Sequence, residues 1–180
     1  RNGMRIIDAS TNAVNGGSLR VVVAHDSSPL KTSDNVYRIR TRERKLRLSD
    51  SRTYEKFEKS IVGNAKKVHD YLSSQGSVLG LGASTKGNVL LQICGVGKEL
   101  MPAISERNPF KVGLKTMGSN IALISEEKAR KLNPDVMFVI PWNFKDEIVA
   151  REREYIDGGG KLLFIMPYPY YIDKDGEHKL

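Results

Sequence analysis

Short, unbroken apolar runs alternate with amphipathic segments through most of the chain, and this alternation restricts the possible fold more than any other feature. The runs SVLGL (77–81), DVMFVI (135–140) and KLLFIMP (161–167) each have the length of one strand. Strands that are apolar on both sides occur in parallel sheets, because helices cover both faces of such sheets. We therefore predict an α/β fold with a mostly parallel sheet.

The segments around these runs carry their own patterns. Apolar residues recur at steps of three and four in the segment 50–76, which predicts a helix that begins at Ser49 or Asp50 and ends at Gly76. The residues on this helical face are Tyr54, Phe57, Ile61, Ala65, Val68 and Leu72. Shorter helices are predicted over 85–94, 125–132, where the first serine is the cap, and 143–160, and shorter strands over 103–105 and 121–124. Residues 18–25 are rich in β-branched side chains and predict a buried strand.

The length of 180 residues suffices for one well-buried core and leaves little room for a second full domain. Residues 1–15 have no clear period, and we interpret them as the tail of a preceding domain or a linker. Residues 16–180 are then one domain, for which the alternation of strands and helices predicts a Rossmann-like three-layer sandwich.

The net charge of +8 raises the question of a phosphate-containing partner. Most of the excess lies in the segment 31–52, which we interpret as a charged connection that either faces water or neutralises phosphates. Only Tyr37 interrupts the charges as a possible stacking residue, so single-stranded nucleic acid receives little support. A single cysteine, Cys94, and three histidines predict neither a disulfide nor a metal site. No apolar run has the length of a membrane helix, and we expect a cytoplasmic protein.

A glycine-rich turn, LGASTKGN (81–88), follows the first central strand and opens a helix. In such a turn the glycines allow phosphate oxygens to approach backbone N–H groups. Glu106 ends the next strand, where dinucleotide-binding folds keep an acid for ribose hydroxyls. The spacing matches neither common phosphate-binding motif, so a ligand loop and a tight packing turn both stay open. The candidate residues of the turn are Gly82, Ser84, Thr85, Lys86, Gly87 and Asn88.

Two further loops follow predicted parallel strands and are expected at the same sheet edge, because the carboxyl ends of parallel strands lie together. The loop SERNPFKVG (105–113) contributes Arg107 and Lys111, and the loop PWNFKDE (141–147) contributes Trp142 and Asn143. Together with the glycine-rich turn, they predict a crevice with positive charge that binds an anionic substrate.

Four blocks in this order resemble the C-terminal domain of sugar C-methyltransferases. They are NGGSLRVVVAH (15–25), VLGLGASTKGNVLLQICGVG (78–97), ISERNPFKVGLKTMGSNIALIS (104–125) and PDVMFVIPWNFKDEI (134–148). The turn G-x-G-A-x-x-K-G-N, the loop R-x-P-x-K-x-G and the loop P-W-N of that family fall on 80–88, 107–113 and 141–143. The resemblance extends over most of the chain, from Asn15 to Tyr171.

The resemblance implies a bacterial enzyme that methylates a carbon of a nucleotide-linked keto sugar in deoxysugar biosynthesis. In that family a zinc-binding domain and a domain that binds S-adenosylmethionine and supplies the catalytic base precede this one. The chain itself would then bind the nucleotide sugar and contact the upstream domain, without a catalytic residue, metal or cofactor of its own. We interpret His25, at a strand end, as structural rather than as that base.

Three other functions stay open at this stage. The glycine-rich turn and Glu106 fit a separate nucleotide-binding or NAD-binding module. The segment 31–52 fits nucleic-acid binding that weakens steeply with salt. A structural domain without a ligand fits the same pattern of strands and helices.

Overall fold

The computed structural model describes residues 2–180, which form two compact units. The first unit ends at Glu58 and the second begins at Lys59, so the division lies within one long helix. Residue 15, after which we predicted that the domain begins, lies between two strands that pair with each other, and the domain bounds stay a prediction. Local periodicity did not indicate this pairing, because the first of these strands mixes polar and apolar residues.

The first unit contains a β-hairpin, one complete helix and the beginning of the long helix. Strands β1 (Met4–Asn12) and β2 (Ser18–His25) pair antiparallel, with a bulge between Ile6 and Asp8. The strand over 18–25 is confirmed, but the prediction that it is buried is wrong, because most of its residues are exposed.

Helix α1 (Asp34–Lys45) occupies most of the segment that we interpreted as a charged connection, and that interpretation is wrong. The charges suit a helix because Asp34 lies in the first turn while Arg42, Arg44 and Lys45 lie in the last turn. Acids at the N-terminus and bases at the C-terminus oppose the helix dipole and stabilise the helix.

The long helix predicted after residue 50 is confirmed as α2 (Ser51–Ser73). The Asp50 carboxylate accepts a hydrogen bond from the backbone N–H of Arg52 at 3.1 Å, as expected of a residue that caps a helix. Of the predicted apolar face, Ala65, Val68 and Leu72 are buried. Tyr54 and Phe57, which belong to the first unit, are exposed.

The second unit contains a seven-stranded sheet, which confirms an α/β fold with a mostly parallel sheet. In chain order the strands are β3 (Val78–Leu81), β4 (Ala103–Glu106), β5 (Ala122–Ser125), β6 (Val136–Val139), β7 (Lys161–Phe164), β8 (Tyr170–Asp173) and β9 (Gly176–Lys179). Across the sheet their order is β5-β4-β3-β6-β7-β8-β9. The first five of these are parallel, and β8 and β9 are antiparallel to their neighbours.

The strands β8 and β9 were not predicted, because they are short and half-polar. They form a hairpin around Lys174 and Asp175, with Asp173 opposite Gly176. The Asp-Gly pair of the chain overlaps this turn, because Asp175 ends the loop and Gly176 is the first residue of β9, so it is an incomplete form of the usual hairpin signal. The described residues include no helix that is both long enough and apolar enough to cross a bilayer.

Four shorter helices accompany the sheet: α3 (Thr85–Ile93), α4 (Glu126–Leu132), α5 (Lys145–Arg151) and α6 (Arg153–Asp157). The prediction of one continuous helix over 143–160 is therefore wrong, because α5 and α6 are separate helices. The break between them lies at Glu152, whose side chain is 1% exposed and contacts Arg130 and Arg151. A buried carboxylate needs such partners, and a local pattern does not reveal that the chain bends to provide them.

The core lies on both faces of the sheet, which explains why the strand sequences are apolar on both sides. In β6 and the residue after it, Val136, Phe138 and Ile140 join the core under α2 and α3, while Met137 and Val139 join the core under α5 and α6. All of these residues are at most 2% exposed. The helices therefore cover both faces, and the carboxyl ends of five parallel strands are left for the site described next.

Candidate functional site

The glycine-rich turn between β3 and α3 is built around two close approaches. A Cβ on Gly82, whose φ is +76°, would lie 2.9 Å from Cγ of Pro141. A Cβ on Gly87 would lie 2.0 Å from Cγ2 of Ile140. Since real Cβ atoms do not approach so closely, glycine is needed at both positions for packing against the end of β6, whatever ligand the turn binds.

Helix α3 begins at this turn with a serine cap. The Ser84 Oγ accepts a hydrogen bond from the backbone N–H of Gly87 at 3.0 Å. Thr85 and Lys86 follow in the first turn and are exposed. Among the residues that the structure describes, Lys86 has no hydrogen-bond or ion-pair partner for its side chain.

Glu106 and Lys111 join the loop after β4 to the glycine-rich turn. The Glu106 carboxylate accepts hydrogen bonds from the backbone N–H groups of Ala83, at 3.0 Å, and Asn108, at 2.8 Å. The Lys111 ammonium donates to the carbonyl oxygen of Ala83 at 2.9 Å and lies 3.9 Å from Glu106 Oε2. Both residues, predicted as ligand-binding, therefore hold the turn in place.

The loop after β6 reaches the same edge. Trp142 and Asn143 lie in a short 3₁₀ helix (Trp142–Phe144), and Trp142 packs against the core under α5. Arg107, from the loop after β4, faces Glu147 of α5 with 3.8 Å between Nη1 and Oε1. The three loops thus converge, as expected from the parallel order of the strands.

Two cavities flank the segment Ala83–Ser84, which lines both of them. The first has a volume of about 270 Å³ and lies at the ends of β3, β4 and β6, beside α4 and α5. Three carboxylates and two guanidinium groups line it, so its formal charge is negative: Glu106, Glu126, Glu147, Arg107 and Arg151.

The second cavity has a volume of about 190 Å³ and lies beside the first turn of α3. Two lysines line it, Lys111 and Lys115, and no carboxylate does. Its other polar side chains belong to Ser84, Thr85, Asn88 and Thr116. An N-terminal helix turn favours negative charge through its free N–H groups, so the second cavity is the one that suits an anion.

The predicted site residues are distributed between these cavities. Gly82 and Arg107 line the first, Gly87, Asn88 and Lys111 line the second, and Ser84 lines both. Lys86, Trp142 and Asn143 line neither. The sequence did not single out Lys115, although it lies four positions after Lys111 in a block quoted for the family resemblance.

The acids and the arginine that α4 and α5 contribute to the first cavity were also missed: Glu126, Glu147 and Arg151. They lie on helical surfaces, where a charged residue is ordinary and gives no local signal. Within the described part of the chain, no group of three or more His, Cys, Asp or Glu side chains could hold a metal ion.

Comparison with known proteins identifies the family of this chain. A family model described as the C-methyltransferase C-terminal domain matches residues 13–167. The chain belongs to this family. The resemblance found in the sequence is thereby confirmed.

A curated relative carries the same assignment. The domain is 30% identical over 178 residues to the C-methyltransferase NovU of Streptomyces niveus. The match includes 97% of this chain and 42% of the relative, so the domain spans less than half of that protein's length.

Proposed function

We propose that this domain binds the nucleotide-linked keto sugar that a longer sugar C-methyltransferase methylates. The observation that carries the proposal is the pair of cavities at the carboxyl edge of the parallel strands. Numbered along the chain, the five parallel strands have the order 3-2-1-4-5, which supports a Rossmann-like assignment. Folds of that class bind ligands at this edge, where the strand order reverses.

We assign the diphosphate of the substrate to the second cavity. Its two lysines and the first turn of α3 provide positive charge, and no carboxylate lines this cavity, although Glu106 lies 3.9 Å from the Lys111 ammonium. Lys111 uses one N–H for Ala83 and, since an ammonium has three donors, keeps two for a ligand. Lys115 lies in the same cavity and is exposed.

We assign the sugar to the first cavity. The carboxylates of Glu126 and Glu147 can accept hydrogen bonds from hydroxyl groups, and the arginines there can donate to hydroxyl and keto oxygens. The segment Ala83–Ser84 lines both cavities, so one extended ligand can contact both.

The methyl donor, the catalytic base and zinc belong in this proposal to the preceding part of the protein. The acid that would bind a ribose is Glu106, which is 8% exposed and already accepts two backbone hydrogen bonds. The edge therefore lacks a free acid at the position that the dinucleotide-binding mode uses for ribose hydroxyls, which argues against the NAD-binding alternative. The cytoplasmic location and the role in deoxysugar biosynthesis remain predictions.

Such a division of labour has a physical reason. Methylation beside a ketone requires a base, a stabilised enolate and a methyl group held in line with the reacting carbon. The nucleoside diphosphate is remote from that carbon, and its binding energy can hold the carbon in position. A separate domain that binds this remote group leaves the reacting end free for the catalytic residues.

Lys115→Ala in the full-length enzyme tests the proposal. We expect the KM for the nucleotide sugar to rise roughly tenfold, because a hydrogen bond to a charged group contributes about 1.5 kcal/mol. Lys115 is a cleaner choice than Lys111, whose replacement would also remove the hydrogen bond to Ala83. Steady-state kinetics at saturating methyl donor measure the effect.

Lys131→Ala is the matched control. Lys131 is an exposed lysine in the last turn of α4 that pairs with Glu127 and lines neither cavity. The Lys131→Ala substitution removes the same charge as Lys115→Ala, and we expect it to leave the KM unchanged. Equal KM values for the two variants would contradict the assignment of the diphosphate to the second cavity.

A further inference from the structure

The hairpin of the first unit has one apolar face that its register defines. Ile6 lies opposite Val23, Ala9 opposite Val21 and Thr11 opposite Leu19. Because directly opposite residues point to the same side of a sheet, the apolar side chains lie together: Met4, Ile6, Ala9, Leu19, Val21 and Val23. The other face carries Arg5, Asp8, Ser10 and Arg20 in addition to Val22.

Most of this apolar face is uncovered. Ala9 is buried, while the other five side chains are 41–53% exposed. Single exposed apolar residues are common, but a contiguous group of them marks an interaction surface. Helix α1 contacts β1 and supports the hairpin, but these five side chains remain accessible to solvent. We therefore expect this face to pack against a partner.

The family match indicates which partner this is. The match to the C-terminal domain begins at residue 13, directly after β1 ends at Asn12, so β1 precedes the matched region and β2 lies within it. The relative NovU is more than twice as long as the region that this chain matches. Since the family is a C-terminal domain, the unmatched length includes a preceding part, and the hairpin crosses the boundary between the two.

We propose that the apolar face of the β1–β2 hairpin packs against the preceding part of the same polypeptide in the full-length protein. The hairpin thereby links the C-terminal domain to the part that precedes it. This inference depends on the family membership and does not depend on nucleotide-sugar binding, so either can fail without the other.

Cysteine labelling of Val21→Cys and Val22→Cys tests this proposal. The two valines are neighbours with exposed fractions of 41% and 40%, and they point to opposite faces of the hairpin. The native Cys94 will not interfere, because it is buried and burial raises the pKa of its thiol to about 11. Each variant is made in the full-length protein and in the 180-residue chain, and maleimide labelling is followed by peptide mass spectrometry.

We expect Val21→Cys to react at least about tenfold more slowly in the full-length protein than in the 180-residue chain, because packing protects it. Val22→Cys should react at similar rates in both. Equal rates for Val21→Cys in the two proteins would overturn the proposal. Protection that already occurs in the 180-residue chain and grows with its concentration would identify a second copy as the partner and overturn it too.

A second pair of variants covers the case in which a cysteine disturbs the packing. Val21→Asp places a charge in the apolar face, and Val22→Asp places the same charge on the polar face. In the full-length protein we expect Val21→Asp to lower the Tm clearly more than Val22→Asp does. A Tm difference that is equally large in the 180-residue chain would contradict a contact with the preceding part.

Discussion

Two glycines determine how closely the first turn of α3 approaches the sheet. Gly87 is buried, and its Cα stands where any side chain would meet Ile140. A side chain on Gly82 would likewise meet Pro141, and Gly82 also has a positive φ, which favours glycine. The sequence left a ligand loop and a packing turn open for this motif, and at these two positions packing alone already requires glycine.

Gly87→Ala is predicted to destabilise the domain by about 1–3 kcal/mol, because the added methyl group overpacks the contact with Ile140. The free energy of unfolding in urea, measured by circular dichroism, gives the size of the loss.

Gly63→Ala is the control for this prediction. Gly63 lies inside α2, and a Cβ there would meet no atom within 4 Å. Alanine favours a helix over glycine by about 0.5–1 kcal/mol, so we expect this variant to gain stability. Similar losses in both variants would mean that the effect at Gly87 is not due to the contact with Ile140.

Glu106 illustrates how burial changes the role of a side chain. Its position at the end of a strand predicted an acid for ribose hydroxyls. In the structure its oxygens accept the N–H groups of Ala83 and Asn108, and Lys111 lies nearby. A carboxylate that is this little exposed requires hydrogen bonds and a positive charge, and the neighbouring loops supply both.

At the scale of elements, α3 and α4 begin with the same kind of cap at different places in the domain. Ser84 accepts from the N–H of Gly87 at 3.0 Å, and Ser125 accepts from the N–H of Lys128 at 3.3 Å. Only Ser84 lines the two cavities. The two serines therefore allow the contribution of a cap to stability to be separated from a contribution to binding.

Ser84→Ala and Ser125→Ala are each predicted to cost about 1 kcal/mol, because each leaves one N–H of a helix without its partner. Each substitution should lower the Tm of the protein by about 3 °C. Only Ser84→Ala should raise the KM for the nucleotide sugar in the full-length enzyme. Differential scanning fluorimetry measures the Tm, and steady-state kinetics measure the KM. If the KM rises equally in both variants, lost stability rather than a contact of Ser84 with the substrate causes the rise.

At the scale of the whole molecule, the proposed role separates binding of the substrate from the chemistry. The sheet of the second unit presents its carboxyl edge with two cavities of opposite charge. The first unit presents an apolar hairpin face that we assign to the preceding part of the protein.

Binding of a nucleoside-diphosphate hexose by the 180-residue chain is predicted to raise its Tm. A ligand at a hundred times its Kd stabilises the folded state by about 2.7 kcal/mol. NAD at the same concentration should cause a smaller shift, because Glu106 is already occupied by backbone groups. A larger shift with NAD would favour the nucleotide-binding module instead, and no shift with any nucleotide sugar would contradict direct binding by this domain.

Much of the fold follows from local patterns. The run DVMFVI predicted a central strand because it is apolar at every position but the first, and β6 indeed contributes to both cores. The apolar period after residue 50 predicted α2 for a similar reason. That three loops meet at one edge also followed from sequence, since parallel strands share a direction. These properties depend on the spacing of residues along the chain, which the sequence contains.

The tertiary structure alone decided which charged residues are left for a ligand. Lys111 is held by Ala83, 28 positions away, while Lys86 points to no described partner and lines neither cavity. The tertiary structure also decided two further features, the break between helices at Glu152 and the exposure of the apolar strand β2. The surroundings of a side chain come from segments distant in sequence, whereas periodicity describes only neighbours along the chain. Hence the pattern predicted the sheet and its edge, and only the folded chain determined which groups at that edge remain free.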